Sequence, residues 1–346
     1  MGARQIAPNI FLFYFVLGQS CYTSRRPPLN QNIQKLADTL PNVIKAALAP
    51  STNNKYERAW CQWKAFCFQN PGIVTRPADP FYIAIYFNFI LTTRNSRGAI
   101  TDAYFGIRWG HHSAGYYSPT THPFVKLAYE GAKRLANTRG RNKKDPMTAV
   151  MIRKLFSVYG RDDNLSSKRF LLICILGFTG FMRTSELLGI KVRHISIHPT
   201  HMAIYIPSSK TDQLGDGNTI LISRIESLCC PVATVEKYIK LANLSANDYL
   251  VCKLVFTKKG YRVVGSHGLS YSRTRAVFLK FTKSLFPGHN LGLHGLRAGG
   301  ASMSASNNTS DRLISKHGRW LSEKARDGYI RPTLNEKLFV TRNLGL

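Results

Sequence analysis

The first half of the chain repeats its apolar residues at helical spacing. One apolar face is formed, at intervals of four, three and four residues, by Tyr56, Trp60, Trp63 and Cys67. Ser51 and Thr52, just before this face, are candidate N-caps. Three similar segments follow, the first of them directly after Asp79-Pro80. Four amphipathic helices with short polar connections predict a small helical bundle over residues 31–137.

The second half mixes helical and strand patterns. A capped helix is predicted to begin near Thr148, and an apolar helix to cover residues 168–180. Residues 192–223 alternate apolar and polar positions in three short runs, with a turn at L-G-D-G-N (214–218), which predicts β-strands. Helical spacing returns from Pro231 onward. The predicted fold class is mainly α with a small antiparallel β-sheet: an N-terminal helical domain followed by an α+β domain.

Charge narrows the choice of binding partner. The 346 residues include 48 lysines and arginines against 18 aspartates and glutamates, so the formal net charge is +30. An apolar content of 44% argues against disorder. So large an excess of cations points to a polyanion such as double-stranded DNA. Charge alone leaves a ribosomal or merely basic surface protein open as an alternative.

Basic residues are concentrated between the two predicted domains. The run T-R-G-R-N-K-K-D-P at 138–146 combines cations with Gly and Pro, and residues 138–147 are predicted to form a linker. Contact with the phosphate backbone is the leading interpretation. The same run fits a nuclear import signal, and we expect the protein in the nucleus. The candidate DNA-contacting residues are Arg139, Arg141, Lys143 and Lys144.

The N-terminus and the cysteines bear on the cellular compartment. Residues 1–28 contain an apolar run, I-F-L-F-Y-F-V-L at 10–17, that is too short to span a bilayer, so no membrane association is expected. A secretory signal fits this segment as well, but a strongly basic protein poor in disulfides favours an unstructured leader, or a mispredicted start, over residues 1–30. Seven cysteines without paired C-x-x-C spacing indicate free thiols in a reducing compartment.

Three motifs carry residues that suit a phosphate. The motif F-M-R-T-S-E-L at 181–187 contains Arg183 and Glu186, which share a face of a helix, so that the carboxylate can orient the guanidinium. H-G-L-R supplies His294 and Arg297, and K-H-G-R-W-L-S-E-K-A-R-D-G-Y ends on Tyr329. Arginine offers a planar fork of donors to phosphate oxygens, histidine exchanges a proton near neutral pH, and a phenol is a potential nucleophile.

In these motifs the chain resembles the tyrosine recombinase family of the phage-integrase type, over roughly residues 45–335. Arg183 matches the first arginine of the family, Glu186 the acidic residue after it, and residues 294–297 the His-x-x-Arg box. Trp320, nine residues before Tyr329, falls where the family has a His or Trp, whereas His317 lies twelve residues before and receives no such role. The phrases S-K-T-D-Q and G-R-W look more like recombinases of eukaryotic mobile elements than like bacterial resolvases.

The resemblance implies a division of labour between two domains. Residues 31–137 would be the core-binding (SAM-like) DNA-binding domain, and residues 148–346 the catalytic domain. Tyr329 would be the nucleophile, His294 the base and Trp320 a hydrogen-bond donor to the phosphate that the two arginines hold. The general acid falls on Lys210 in a β-hairpin, with Lys191, Lys253 and Lys258 left open.

The same resemblance implies chemistry without a metal ion or other cofactor. The adjacent histidines His111 and His112 do not alter this expectation, because neighbouring helical positions point in different directions. Double-stranded DNA and further copies of the chain are the implied partners, a dimer per site and a tetramer in synapsis. A short helix over residues 334–340 would dock on a neighbouring protomer through Leu338 and Phe339.

Three functions fit this sequence. The first is a site-specific recombinase or integrase of a mobile element. The second is a domesticated, catalytically silent DNA-binding protein, and the third is DNA relaxation of the type IB topoisomerase kind. The intact set of two arginines, histidine, tryptophan and tyrosine favours the first.

Overall fold

Two hydrophobic cores organise the chain into two units, with the boundary between Asn142 and Lys143. The computed structural model describes residues 30–136, 144–161, 163–209, 212, 216–258 and 260–344, without the side chain at 340. The predicted fold class, mainly α with a small antiparallel sheet, is confirmed. In this described part no helix is both long and apolar enough to cross a membrane. Outside it lie the predicted leader, Arg139, Arg141, Lys143 and Lys210.

Every secondary-structure element in the described part of the N-terminal unit is a helix. Its elements are α1 (Gln31–Ala46), α2 (Pro50–Gln69), α3 (Pro80–Arg94), α4 (Arg97–His112), a 3₁₀ turn (Pro119–Thr121) and α5 (Pro123–Leu135). Helix α2 packs along α4, and α3 packs along α5, so their apolar faces meet in one core. The predicted aromatic face lies in this core: Trp60, Trp63 and Cys67 are buried, and Tyr56 at its edge stacks on Phe105.

One prediction about a helix start is wrong, and one helix was not predicted as a separate element. Helix α2 begins at Pro50 with Ala49 as its N-cap, so Ser51 and Thr52 lie inside the helix. The physical reason is that the fixed φ of proline suits the first helical position, where the missing N–H costs nothing. Helix α1 was not predicted as an element of its own, because its apolar side chains, Leu36 among them, remain exposed and carry no core signal.

His111 is a core residue of the N-terminal unit. Its Nδ1 donates to the Ile107 carbonyl (2.8 Å), and its Nε2 accepts from the Ala78 N–H (3.1 Å). The ring packs edge-on against Trp60 at 5.6 Å between centroids. Burial lowers the pKa of His111 to about 4, since the imidazole can serve as an acceptor only while it is neutral. Within the described residues no group of three His, Cys, Asp or Glu is placed to hold a metal ion.

The C-terminal unit surrounds one long apolar helix. Its helices are α6 (Ala149–Tyr159), α7 (Leu165–Thr179), α8 (Thr184–Gly189), α9 (Pro231–Ala242), α10 (Tyr271–Thr282), α11 (Leu293–Ser306), α12 (Asp311–Gly318), α13 (Glu323–Asp327) and α14 (Leu334–Arg342). Helix α7 is buried along its length between α9 and α11. Its C-cap is Gly180, directly before the Arg183 motif. Gly177 near this end lies against Leu296 of α11, so the end of α7 and the start of α11 meet in one place.

A three-stranded antiparallel sheet covers this core. Strands β1 (Ile195–Ile197), β2 (His201–Ile206) and β3 (Asn218–Ser223) follow one another, and Ile204 of β2 pairs with Ile195 and Ile220. Alternate residues of β2, Met202, Ile204 and Ile206, are buried, as the period of a strand requires. Lys210 belongs to the β2–β3 connection, outside the described residues.

A second hairpin, β4 (Cys252–Thr257) with β5 (Gly260–Gly268), was not predicted. Its apolar runs are short and broken by glycines, so the alternation that marks a strand is weak. Two of the alternative lysines lie here, Lys253 on β4 and Lys258 in the turn. The third, Lys191, lies over the Tyr249 ring at 5.1 Å.

Candidate active site

Arg183 is held at the start of α8 by the carboxylate of Glu186. The Arg183 backbone N–H donates to Glu186 Oε2 (2.8 Å), and Arg183 Nη1 donates to Oε1 (2.6 Å). The expectation that both residues are helical is wrong for Arg183. It is the N-cap, with extended backbone (φ −69°, ψ 146°), because its N–H must turn back to the Glu186 side chain. Its guanidinium keeps a solvent-facing edge, whereas Glu186 is buried.

Arg297 lies in the second turn of α11 and is almost completely buried, 1% exposed. Its Nη1 donates to the Phe181 carbonyl, and its Nη2 to the Gly318 carbonyl (2.6 Å). The Cζ atom lies 4.5 Å from the centre of the Trp320 ring and 4.8 Å from that of Tyr329. Burial, together with the charge of Arg183, lowers the pKa of Arg297 to about 10, so the group remains a cation at neutral pH.

A third arginine, Arg319, completes the cluster, and the sequence analysis missed it. Its Nη2 donates to Glu186 Oε2 (2.8 Å), and it is 7% exposed. Glu186 therefore faces the guanidiniums of three arginines, with Arg297 Nη1 at 3.9 Å. Burial raises the pKa of Glu186, but Arg319 and Arg183 outweigh it and hold the pKa below its ordinary value. Three cations around one carboxylate leave the cluster with a net charge of +2.

The G-R-W motif forms the turn that brings Trp320 into the site. Helix α12 ends at Gly318, Arg319 adopts the left-handed conformation (φ 57°), and the Trp320 N–H donates back to the Ser315 carbonyl (3.0 Å). A Cβ atom on Gly318 would lie 2.0 Å from the Trp320 ring, so only glycine fits there. The motif thus sets the path of the chain as well as supplying side chains.

Tyr329 lies among the other predicted residues. Its ring centre is 4.8 Å from that of His294 and 5.1 Å from that of Trp320. Ser302 on α11 holds the backbone on both sides of this contact: its Oγ donates to the Tyr329 carbonyl (3.4 Å) and accepts from the Arg331 N–H (2.8 Å). The helix that carries Arg297 therefore also positions Tyr329.

The two histidines of the site differ in their surroundings. His294, in the first turn of α11, keeps an exposed edge; partial burial against Tyr329 and the charges of Arg297, Arg331 and Arg183 lower its pKa. It is accordingly neutral at pH 7 and able to accept a proton. His317 donates its Nε2–H to the Thr179 carbonyl (2.8 Å) and packs edge-on against Phe181.

Several buried N–H groups of the site have no hydrogen-bond partner. Within the described residues, four buried side-chain polar atoms lack one, and three of these, Arg297 Nε, Arg319 Nε and Trp320 Nε1, belong to this cluster. Unsatisfied buried donors are rare in folded proteins and call for a physical explanation. Arg297 and Trp320 also contact the Tyr329 ring, and donors beside a surplus of positive charge suit an anion. The phosphate of a nucleic acid is the anion that the basic composition favours.

Lys144 is the described member of the predicted basic linker residues. Its Nζ donates to Asn290 Oδ1, and the Asp145 N–H donates to the Asn290 carbonyl (3.0 Å). The Met147 N–H in turn donates to the Gly295 carbonyl (2.9 Å). Residues 144–147 therefore lie along the start of α11, beside His294, and belong to the C-terminal unit.

Comparison with known proteins identifies the architecture. No protein-family model matches the chain. An integrase/recombinase XerD homolog of Selenomonas ruminantium is 24% identical over 312 residues, 87% of each chain. The XerH site-specific recombinase bound to a palindromic difH substrate matches 99% of this chain and 90% of its own, with TM-score 0.58 and 14% identity. The chain has the tyrosine recombinase fold.

Two further structures with the tyrosine recombinase fold resemble this one. The Tn1549 transposon integrase, in complex with transposon right-end DNA, matches with TM-score 0.56 at 12% identity and covers 86% of this chain and 95% of its own. A lambda integrase dimer bound to a COC′ core site matches with TM-score 0.55 at 15% identity and covers 89% and 82%. The resemblance to tyrosine recombinases inferred from the motifs is thereby confirmed.

Within this recombinase fold, six of the predicted residues come together around one point: Arg183, Glu186, His294, Arg297, Trp320 and Tyr329. The sequence analysis missed Arg319 and Ser302. Arg319 lies between Gly318 and Trp320 in the G-R-W motif, and its place in that motif was the signal that could have identified it. Ser302 acts through the backbone, for which the sequence carries no signal.

Proposed function

We propose that the protein is a site-specific DNA recombinase or integrase that cuts and rejoins DNA through a covalent 3′-phosphotyrosyl intermediate. The observation that carries the proposal is a buried cluster of net charge +2 whose guanidinium and indole donors surround Tyr329. A phosphodiester carries one negative charge, and a second develops as a nucleophile adds. Preorganised donors of this kind stabilise such a transition state more than the ground state.

In this mechanism the Tyr329 oxygen attacks phosphorus as the bond to the 5′ oxygen breaks. His294, neutral at pH 7 since its pKa is lowered, takes the phenol proton. Arg183 and Arg297 donate to the non-bridging oxygens, and Trp320 Nε1–H, which has no partner in the described protein, donates as well. A general acid, for which Lys210 is the candidate, protonates the leaving 5′ oxygen.

The reverse step explains rejoining. A free 5′ hydroxyl from another strand attacks the phosphotyrosyl phosphorus and releases Tyr329, so the energy of the original phosphodiester is kept in the covalent link. The scheme calls for no ATP, metal ion or other cofactor.

We further propose that the partners are double-stranded DNA and other copies of this chain, which form a dimer on each site and a tetramer in synapsis. The protein would act in the nucleus and would be encoded by a mobile element. The net charge of +30 supports the first partner. The S-K-T-D-Q and G-R-W motifs support the origin in a mobile element, because they resemble those of recombinases from eukaryotic mobile elements. Helix α14 supports the second partner, since Leu338 and Phe339 on it are 40% and 65% exposed.

A covalent-trapping assay tests the proposal. Wild type and Tyr329→Phe are mixed with nicked duplexes from the flanking DNA of the element, with a chelator present, and run on a denaturing gel. A shifted band in the wild type alone is the expected result. If both proteins bind the duplex and neither yields a band, the DNA-binding alternative without cleavage replaces this function.

A further inference from the structure

Arg319 occupies a backbone position that does not suit an arginine. It follows the last residue of α12 with φ 57°, a conformation in which glycine or asparagine is usual. Phe181, across the site, also has positive φ (44°). Two strained residues in contact at one site indicate that the surrounding interactions, and not local preference, determine the conformation.

The guanidinium of Arg319 joins two segments of the chain, its own turn and the Arg183 motif at 181–187. It donates to the His317 carbonyl (2.8 Å) and the Phe181 carbonyl (3.1 Å), and it pairs with Glu186 (2.8 Å). The Phe181 carbonyl also accepts from Arg297. Arg319 thereby links the turn that carries Trp320 to the segment that carries Arg183, and it shares the Phe181 carbonyl with Arg297 of α11.

The pairing also determines which cations Glu186 can hold. Its Oε2 accepts from the Arg183 N–H and from Arg319, both at 2.8 Å, while Arg297 Nη1 remains 3.9 Å away. Arg319 thus occupies the carboxylate oxygen nearest to Arg297. Without the Arg319 guanidinium on that oxygen, Coulomb attraction in a buried site would draw Arg297 onto the carboxylate.

We propose that Arg319 is a positioning residue for phosphodiester cleavage: by occupying Glu186 and the Phe181 carbonyl, it keeps Arg183 and Arg297 directed at the phosphate. The inference rests on the proposed function. In this arrangement Arg319 does not contact the reacting atoms, and its effect reaches them through Glu186 and Arg297.

The test compares Arg319→Gly, Arg319→Lys and a matched control, Asn308→Gly. Glycine suits the left-handed backbone, so Arg319→Gly removes the side chain and relieves strain; Asn308 has φ 59° and is exposed. Single-turnover cleavage should fall by about 10²-fold in Arg319→Gly, with DNA affinity within a few-fold of wild type. Arg319→Lys should recover about tenfold, since an ammonium can pair with Glu186. Unchanged cleavage in Arg319→Gly would overturn the proposal.

Coupling to Glu186 separates positioning from a general structural role. The double variant Arg319→Gly/Glu186→Gln should cleave no more slowly than Glu186→Gln alone, and fully additive losses would contradict the inference.

A binding measurement distinguishes failure of this inference from failure of the proposed function. Inorganic phosphate is titrated into wild type and Arg319→Gly, followed by ³¹P NMR. We expect about tenfold weaker binding in the variant, because Arg297 is then drawn towards Glu186 and away from the phosphate. If the wild type forms no covalent complex but this difference appears, the proposed function fails and the positioning role stands. Equal phosphate affinity overturns the positioning role, whatever the wild type does to DNA.

Discussion

Replacing Glu186 with glutamine removes the one carboxylate of the cluster while preserving its shape. The side chain is 1% exposed and accepts charge-assisted hydrogen bonds from Arg183 at 2.6 Å and Arg319 at 2.8 Å. Each such bond contributes about 1.5–3 kcal/mol. Breaking a buried ion pair by removing one partner costs about 3–5 kcal/mol, because the remaining charges stay desolvated. Glu186→Gln should therefore lower the free energy of unfolding of the C-terminal unit by about 3–5 kcal/mol.

The assay is urea denaturation at pH 7, with unfolding monitored by hydrogen exchange. Peptides from α7 are measured, because they report on the C-terminal unit alone. The matched control is Glu236→Gln. Glu236 pairs with Arg224 at 2.7 Å, but its side chain is 40% exposed, so its loss should cost less than about 1 kcal/mol. Equal losses in the two variants would refute the reasoning from burial.

The pH dependence of the stability difference between wild type and Glu186→Gln tests the same prediction independently. Because the pKa of Glu186 in the folded protein lies below its ordinary 4.5, the carboxylate stabilises the fold above that pH. This contribution is lost as the pH falls through the folded value. The difference between wild type and Glu186→Gln should accordingly shrink below pH 4.5, and a constant difference down to pH 3 would contradict the account.

Three further predictions concern other parts of the chain. His111 is held neutral, with a pKa of about 4 against an ordinary 6.5. The free energy of unfolding of the N-terminal unit should therefore fall by about 3 kcal/mol as the pH drops between these values. Urea titrations of His111→Gln should show no such loss. Gly300→Ala should destabilise the C-terminal unit in thermal melts, since the new Cβ would lie 2.0 Å from the Phe178 carbonyl, whereas Gly131→Ala, with open space, should be neutral or stabilising. Neutralising the basic linker residues should lower the salt slope of DNA binding by about 0.9 for each phosphate that they neutralise in the wild type, and an unchanged slope would exclude their binding to phosphates. The linker residues are Arg139, Arg141, Lys143 and Lys144.

Local patterns were sufficient where a helix buries one face and has a capping residue. Asp79 before α3 and Thr148 before α6 both accept a hydrogen bond from the first turn, and both helices follow the predicted period. They failed where apolar residues stay exposed, as in α1, or where glycines interrupt a strand, as in β5. In these elements tertiary contacts decide the structure, and the sequence period does not record them.

The candidate site divides in the same way. Five residues of the site could be predicted from the sequence, because they occur in motifs in a fixed order. They are Arg183, His294, Arg297, Trp320 and Tyr329. The buried pairing of Arg319 with Glu186 could not be predicted, because it joins residues 133 positions apart through a left-handed turn that sequence preference would give to glycine. The sequence alone does not show how Glu186 and the three arginines are arranged.

The most direct test of the central claim is to locate the covalent bond. After trapping on a nicked duplex, the complex is digested with nuclease and protease, and the nucleotide-bearing peptide is sequenced by mass spectrometry while the released DNA end is analysed. The account predicts a single modified residue, Tyr329, joined to a 3′ phosphate, with a free 5′ hydroxyl on the other side of the break in the same strand. A nucleotide on any other residue, or a cleaved end that carries a 5′ phosphate, would contradict it.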